Sequence, residues 1–393
     1  MAAPSPAAIL VVDDARFNLT LVTHRLKELG YSDIATARNG QEALDAMAKR
    51  RFDCVLLDIE MPVLDGYQTL ERMRGDGMLV DTPVIVISAV DALDSVARCL
   101  QLGAEDYLPK SFDPTILAAR LSAVLEKKRL RDLVTEQLKA LERELGAARQ
   151  LQMGMVPTDY PPCTPERPVD IHALIEPAKQ VGGDLYDFFY LGEDHFCFCV
   201  GDASGKGAPA ALFMARTRSV TRSVAKLLFQ ERGTVDPAQA AQLVNGEISL
   251  DNAEMIFMTL FFGLLNVRTG MLQYCNAGHT RPFLVRPGAA PVEVGPINGQ
   301  MAMGVEESLV YRTDRLELGP SDTLFVYSDG ISEALDEDLT LFGEPRLGRT
   351  LDELRDLGSA EAINRGVVAK VKEFAGTAPQ ADDITAMTLR WRP

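Results

Sequence analysis

Apolar and polar positions change their spacing twice along this 393-residue chain. Over residues 8–125, short runs of Val, Ile and Leu alternate with stretches whose apolar residues recur at helical intervals. The runs at 9–12, 34–37, 54–57, 84–87 and 106–108 read as strands, and the stretches at 17–29, 41–49, 66–73, 93–102 and 114–125 as helices. Five strand–helix repeats predict an α/β domain on a doubly wound, mostly parallel sheet.

The spacing then lengthens. Val134, Leu138, Leu141, Leu145 and Ala148 recur at alternating steps of four and three, with Glu, Lys and Arg between them. That heptad pattern predicts a helical linker over 126–156, either a coiled coil or a single amphipathic helix packed on a neighbouring domain. It continues the preceding helix with no Pro or Gly until Gly146, and the Pro-rich stretch 157–168 ends it.

Residues 169–391 carry strand patterns at 172–175, 195–200, 259–266, 272–276, 281–285, 323–328 and 384–390. Longer helical stretches lie at 208–230, 237–253 and 360–375. Strand-rich sequence with segregated helices predicts an α+β domain of packed sheets flanked by helices. No run approaches the roughly 20 apolar residues of a membrane helix. The longest, 255–267, is interrupted by Thr259, Gly263 and Asn266 and reads as buried strand.

Charge and cysteine usage narrow the classes. Lys and Arg number 40 against 56 Asp and Glu, a formal charge of −16. A phosphate-backbone binder needs a basic face, so nucleic acid is not an expected partner, and neither is a membrane. The N-terminal MAAPSPAA lacks the basic segment and apolar core of a secretory leader. The six cysteines form no CxxC pair and, with four scattered histidines, no zinc pattern. Reduced thiols in a cytoplasmic protein are the expectation.

The first domain's predicted strands end on Asp13-Asp14, Asp58, Ser88 and Pro109-Lys110. Sheets of this kind bind ligands beyond the carboxyl ends of their strands, so three carboxylates, a hydroxyl and a lysine converge on one edge. One Asp at a strand end is commonly a turn or cap residue, but that does not explain four matching ends. Close carboxylates repel unless a cation or proton intervenes, and three oxygen ligands suit Mg²⁺ with a phosphate partner. The motifs VVDD, LLDIEMPVLDG, VIVISA and DYLPK resemble the receiver domain of two-component response regulators, which has a flavodoxin-like fold. The resemblance implies that Asp58 accepts a phosphoryl group from a histidine kinase. It also implies that Asp13, Asp14 and Asp58 bind Mg²⁺ with the Glu60 backbone carbonyl, that Ser88 and Lys110 contact the phosphoryl group, and that Tyr107 is an aromatic switch.

In the last domain, acidic residues again stand beside glycines or at strand ends. Asp184 follows Val181-Gly182-Gly183, Asp202 opens an Asp-Ala-Ser-Gly-Lys-Gly run, Asp329 follows Tyr327-Ser328, and Asp382-Asp383 precede the last strand. Glycine lets the backbone bend around a ligand, and oxygen-only ligands select Mg²⁺ or Mn²⁺ over zinc. Two such ions sharing a carboxylate can clamp an in-line phosphoryl displacement. VGGDLYDFF, GDASGKG, NAGH, YSDG and DDIT resemble the PPM-type serine/threonine phosphatases, in particular the bacterial SpoIIE/RsbU-like branch. Residues 149–157 resemble the segment that precedes that catalytic domain.

This second resemblance implies a β-sandwich flanked by helices and two Mn²⁺ or Mg²⁺ ions. Asp202 would bridge both, the Ala203 carbonyl would complete one site, and Asp329 with Asp382, or the adjacent Asp383, would hold the second. Asp184, also among the metal-site residues, would bind metal-bound waters and orient the nucleophile, and no covalent phosphoenzyme would form. Two positions depart from the wider family. Its eukaryotic members carry a histidine two residues after the bridging aspartate, where this chain has Ser204, leaving water to protonate the leaving group. They also grip phosphate with an arginine, and the nearest basic residues here are Lys179 and Lys206. His279 of NAGH reads as a structural turn histidine. Gly182-Gly183-Asp184 continues as Leu-Tyr and not Glu-Phe, which removes a diguanylate cyclase, and Gly205-Lys206 lacks P-loop spacing.

Together the two resemblances imply a response regulator whose output is a protein phosphatase. Its expected substrate is a phosphorylated STAS-type anti-sigma-factor antagonist, whose dephosphorylation frees a sigma factor. The linker helix offers a route to a homodimer. The alternative is a catalytically silent adaptor of the same architecture that binds a partner protein.

Overall fold

The computed structural model describes residues 7–89, 93–297 and 299–393. The N-terminal segment, read above as lacking a leader, lies outside them through residue 6. The chain divides into two compact units, with the boundary between Leu141 and Glu142.

In the first unit, strands β1 (Ile9–Val12), β2 (Ile34–Ala37), β3 (Cys54–Leu57), β4 (Val84–Ser88) and β5 (Asp106–Pro109) form a parallel sheet in the order β2-β1-β3-β4-β5. Helices α1 (Arg16–Glu28), α2 (Gly40–Lys49), α3 (Gly66–Gly75), α4 (Leu93–Gln101) and α5 (Pro114–Met153) connect or follow them. Strands buried on both faces read as continuous apolar runs, and these do. Leu10, Val12, Val55 and Leu57 enter one core, while Ile9, Val11, Cys54 and Leu56 enter the other beneath α1 and α5. The doubly wound α/β fold is therefore the one expected.

Helix α5 runs unbroken through the heptad segment. Its first turns bury Leu117, Leu121 and Val124, and Lys128 lies 3.5 Å from Asp53. Beyond them Val134, Leu138 and Leu141 are each more than half exposed. Gly154 follows the last helical residue, its amide bonded to the Gln150 carbonyl at 3.0 Å.

The second unit is a sandwich of two antiparallel sheets. One joins β7 (Leu185–Leu191), β8 (His195–Ala203), β9 (Met258–Asn266), β10 (Met271–Ala277) and β13 (Asp314–Glu317). The other joins β6 (Val169–Glu176), β11 (Phe283–Val285), β12 (Val292–Glu293), β14 (Thr323–Tyr327) and β15 (Ile384–Trp391). Alternation along each strand builds three layers of core. Phe196, Phe198 and Val200 face Leu324, Val326 and Met387 between the sheets. Cys197 and Cys199 face outward onto α6 (Ala208–Arg232) and α7 (Pro237–Ser249). On the far side Phe325 and Tyr327 meet α9 (Gly343–Leu354) and α10 (Ala360–Ala375); the one-turn α8 (Asp329–Ser332) follows β14. All six thiols are free and only Cys163 is exposed.

Some elements went unread in the sequence. β7 is apolar on both faces around a buried Asp187, so no alternation marks it. Arg222 of α6 meets that carboxylate at 2.7 Å through Nε, with its guanidinium 4.4 Å from the Phe189 ring centre. α9 begins with Gly343 and Pro345, which disguise its apolar face. The strand read at 281–285 starts at Phe283, and the helix read to 253 stops at Ser249.

Gly263 pairs across the ladder with Phe198, whose ring covers it, so an added Cβ would lie 2.5 Å from the ring. Gly263→Ala is predicted to destabilise this unit by about 1–3 kcal/mol, the usual cost of overpacking. The fluorescence of Trp391, the only tryptophan, buried with its indole N–H on the Val267 carbonyl, reports the transition. An unchanged urea midpoint would contradict the packing.

Candidate functional site

Two acidic clusters form where strands end. In the first unit, Asp13 and Asp14 follow β1, Asp58 follows β3 and Lys110 follows β5. Among the described residues, Asp13, Asp14 and Asp58 are the group whose carboxylate oxygens all lie within 4.8 Å of one another. Lys110 Nζ stands 2.6 Å from Asp58 Oδ2 and 3.0 Å from Asp13 Oδ2. Burial pushes the Asp58 carboxyl up; Lys110 offsets part of that, and the neighbouring Asp13 charge adds to it. Burial works against the charge on Lys110, but its bonds to the two carboxylates carry its pKa upward. Asn18 donates to both oxygens of Asp13 at 3.0 Å, a contact no motif announced.

The loop after Asp58 is built around Gly66. Its amide bonds the Ile59 carbonyl at 2.9 Å, and a Cβ there would lie 2.4 Å from the Asp58 carbonyl oxygen. Ser88 is buried at the end of β4, Tyr107 is half-buried on β5 and Glu60 is exposed.

The second cluster gathers on the sandwich. Asp184 precedes β7, Asp202 is the penultimate residue of β8, Asp329 opens α8 after β14, and Asp382 and Asp383 precede β15. Asp184 is completely buried and neither of its oxygens has a hydrogen-bonding partner. Burial, then the adjacent Asp202 charge, pushes its pKa far up; the Ser328 and Thr385 hydroxyls nearby only temper this. Asp202 is pushed up to about 7 by burial and by Asp329, and Asp329 is raised by burial, Glu333 and Asp382. A buried unpaired carboxylate costs several kcal/mol unless a proton or cation compensates it. Oxygen donors with raised proton affinity, one of them buried without a partner, fit hard divalent ions.

The Asp382–Asp383 pair divides its work. Asp383 is buried, with Oδ1 accepting from the Ala178 amide at 2.8 Å and Oδ2 from Gly183 at 2.7 Å. Asp382 is partly exposed, and Lys206 Nζ lies 2.9 Å from its Oδ2 and 2.5 Å from the Ala381 carbonyl. The bond to Asp382 raises the Lys206 pKa. Lys179 is exposed and directly follows Ala178, whose amide meets Asp383. Ser204 is tied to Phe257, its amide on the carbonyl at 2.8 Å and its hydroxyl oxygen accepting from the amide at 3.0 Å. His279 is buried and bonded through Nδ1 to Thr259 at 2.9 Å, and burial lowers its pKa to about 3.

The family model described as Stage II sporulation protein E (SpoIIE) matches residues 192–392, and the response regulator receiver domain model matches residues 9–122. Protein IcfG of Synechocystis sp. is 29% identical over 256 residues, which are 58% of this chain and 39% of that protein. Response regulator MprA of Mycolicibacterium vanbaalenii is 41% identical over 122 residues, 31% of this chain and 52% of its own. The chain thus spans about half or less of the length of these curated relatives. Among solved structures, the SiaA-PP2C domain of Pseudomonas aeruginosa is similar with a TM-score of 0.56 at 23% identity, covering 65% of this chain and 98% of that one. That likeness bears on the fold alone.

Two opposite effects on stability are predicted at Asp184. Without metal, Asp184→Asn removes a buried unpaired carboxylate and should stabilise the second unit by about 1–3 kcal/mol. Mn²⁺ at a hundredfold excess over its Kd should stabilise the wild-type unit by about 2.7 kcal/mol, and the variant by less. Thermal unfolding followed at Trp391 measures both. A variant less stable than wild type without metal would refute the account of Asp184.

Proposed function

Because the chain belongs to the Stage II sporulation protein E (SpoIIE) family and carries a receiver domain ahead of that match, we propose that it is a response regulator whose output is metal-dependent hydrolysis of phosphoserine or phosphothreonine on a protein. The observation that carries this reading is Asp184, fully buried beside Asp202 with no donor to either oxygen. Mn²⁺ or Mg²⁺ held by this cluster would supply Lewis-acid activation of water and neutralise phosphoryl charge.

In this reading Asp202 and the Ala203 carbonyl would hold one ion, and Asp202, Asp329 and Asp382 the other. Asp184 orients the attacking water from its buried position. Asp383, both of whose oxygens accept backbone amides, acts as a brace for the Asp184 loop. Lys206, beside Asp382 and more exposed, is the cation placed to meet phosphoryl oxygens; Lys179 has no comparable support.

On the receiver, Asp58 would accept a phosphoryl group from a histidine kinase, with Mg²⁺ held by Asp13, Asp14, Asp58 and the Glu60 carbonyl. Lys110 already bridges Asp13 and Asp58, where it would neutralise the added charge. Ser88 would take a phosphoryl oxygen and Tyr107 would shift with it. The proposed substrate is a STAS-type anti-sigma-factor antagonist, and the proposed setting is the cytoplasm. Among the described residues no helix is long and apolar enough to cross a membrane. The exposed Val134, Leu138 and Leu141 on α5 support a homodimer through that helix.

Phosphate release from a phosphoserine STAS protein with Mn²⁺ tests the output. Asp329→Ala should lower the rate by about 100-fold or more, the scale of losing a group that stabilises transition-state charge. Equal, near-zero rates in both proteins would favour the silent adaptor. Beryllofluoride, a phosphoryl mimic, should change the wild-type rate and leave Asp58→Asn unaffected.

The linker has its own test. Leu138→Lys places a charge on the exposed heptad stripe and should convert a dimer into a monomer in light scattering. A monomeric wild-type protein at micromolar concentration would remove the homodimer.

A further inference from the structure

Two hydrogen bonds tie the end of α5 to the loop that carries Asp184. The Gln152 side-chain nitrogen donates to the Gly182 carbonyl at 2.6 Å, and the Gly182 amide donates back to the Gln152 side-chain oxygen at 3.1 Å. The glutamine thus pairs with Gly182 as a residue of an adjoining antiparallel strand would. Gln152 is only 7% exposed, so water competes little for these bonds. Met153 and Val156 beside it pack into the core between the sheets, which anchors this end of the helix.

The clamped residue stands two positions before Asp184. Its neighbour Gly183 donates to Asp383 Oδ2 at 2.7 Å and accepts from the Ala203 amide at 3.2 Å. Neither glycine leaves slack. A Cβ at Gly182 would lie 2.1 Å from Asp383 Oδ2, and one at Gly183 would lie 2.7 Å from the Ala203 carbonyl oxygen. A displacement of Gly182 is therefore passed through Gly183 to its bonds with Asp383 and Ala203, and along the backbone to Asp184. Gln152 itself touches none of the carboxylates by any of these bonds.

We infer that Gln152 is a positioning residue for the phosphatase site: it holds Gly182 so that Asp184 and Asp383 stand in register with Asp202. The last turn of α5 thereby sets whether that site is assembled. This inference rests on the phosphatase reading above. The helix involved also buries Leu117, Leu121 and Val124 in the first unit, so one continuous element contributes to both cores.

Two full-length variants test the clamp. Gln152→Leu matches the volume without the amide, and Gln152→Asn keeps the amide one methylene short of its partner. Hydrogen exchange of the metal-free protein should quicken at Gly182 and its neighbours while the strands of the sandwich stay protected. Mn²⁺ affinity, measured by calorimetry, should weaken about 10-fold or more, the range seen when a residue supporting a metal ligand is lost. On p-nitrophenyl phosphate, kcat should fall by a similar factor with KM changed less than about twofold, because an orienting contact and not substrate binding is lost.

Wild-type exchange at Gly182, Mn²⁺ affinity and kcat in folded variants would overturn the inference. So would a lowered melting temperature with kcat and Mn²⁺ affinity unchanged, the pattern of a purely structural residue. Should the leucine variant not fold, the asparagine variant decides. If the wild type itself does not hydrolyse p-nitrophenyl phosphate, the phosphatase reading fails; exchange and Mn²⁺ binding then still decide the clamp.

Discussion

Asp184 sits fully buried with Asp202 beside it and no donor on either oxygen, and a protein interior tolerates that pairing only when a proton or cation is shared into it. The repulsion is imposed by architecture. Asp202 is next to last in β8, which lies between β7 and β9, and Asp184 immediately precedes β7, so the strand ladder holds the two charges near each other. The backbone supplies the bracing that the carboxylates cannot supply for one another. Ala178 and Gly183 amides fix Asp383, and Gly183 also receives the Ala203 amide. The two sheets must stay packed for this arrangement to persist, which the aromatic layer of Phe196, Phe198 and Phe261 between them provides.

The two acidic clusters resolve the same physical conflict differently. On the receiver, Lys110 reaches both Asp58 and Asp13, so much of the charge is already balanced by the chain. A phosphoryl group added to Asp58 would meet that lysine at once, which suits a site whose chemistry is transfer to the protein itself. On the sandwich, Lys206 reaches Asp382 at the exposed rim and leaves the buried Asp184 and the half-buried Asp202 beside it without a cation. Uncompensated oxygen donors suit a site whose cations come from solution and whose reaction happens on another molecule.

The acidic strand ends were legible because a carboxylate beside glycine or at the close of an apolar run stands out in one dimension. So were the parallel sheet and the strands β8 and β9, whose buried residues form nearly continuous apolar runs. The division of labour between Asp382 and Asp383 was not, since adjacent residues differ only in which way the backbone turns. Asn18 and Gln152 were hidden for another reason. Each lies on a helix where a polar residue is ordinary, and its meaning depends on a partner brought near by tertiary structure. β7 escaped because Asp187 interrupts its apolar face, and only the fold supplies Arg222 from α6 to neutralise it.

Helix α5 carries an internal contrast that bears on how it could act. Its heptad residues Val134, Leu138 and Leu141 are exposed, whereas Gln152 and Met153 are engaged with the sandwich. Gly146 falls between these two regions, and a Cβ there would meet nothing within 4 Å, so packing does not require the glycine. In a helix interior glycine costs about 1 kcal/mol relative to alanine through backbone entropy. The helix is therefore weakest between the stripe that would meet a second copy and the turn that clamps Gly182. Ordering the stripe against a partner would stiffen the helix up to that weak point, and the two bonds of Gln152 would oppose or complete the change on the other side. A change passed along α5 from the stripe would have to cross Gly146 before it reached Gln152.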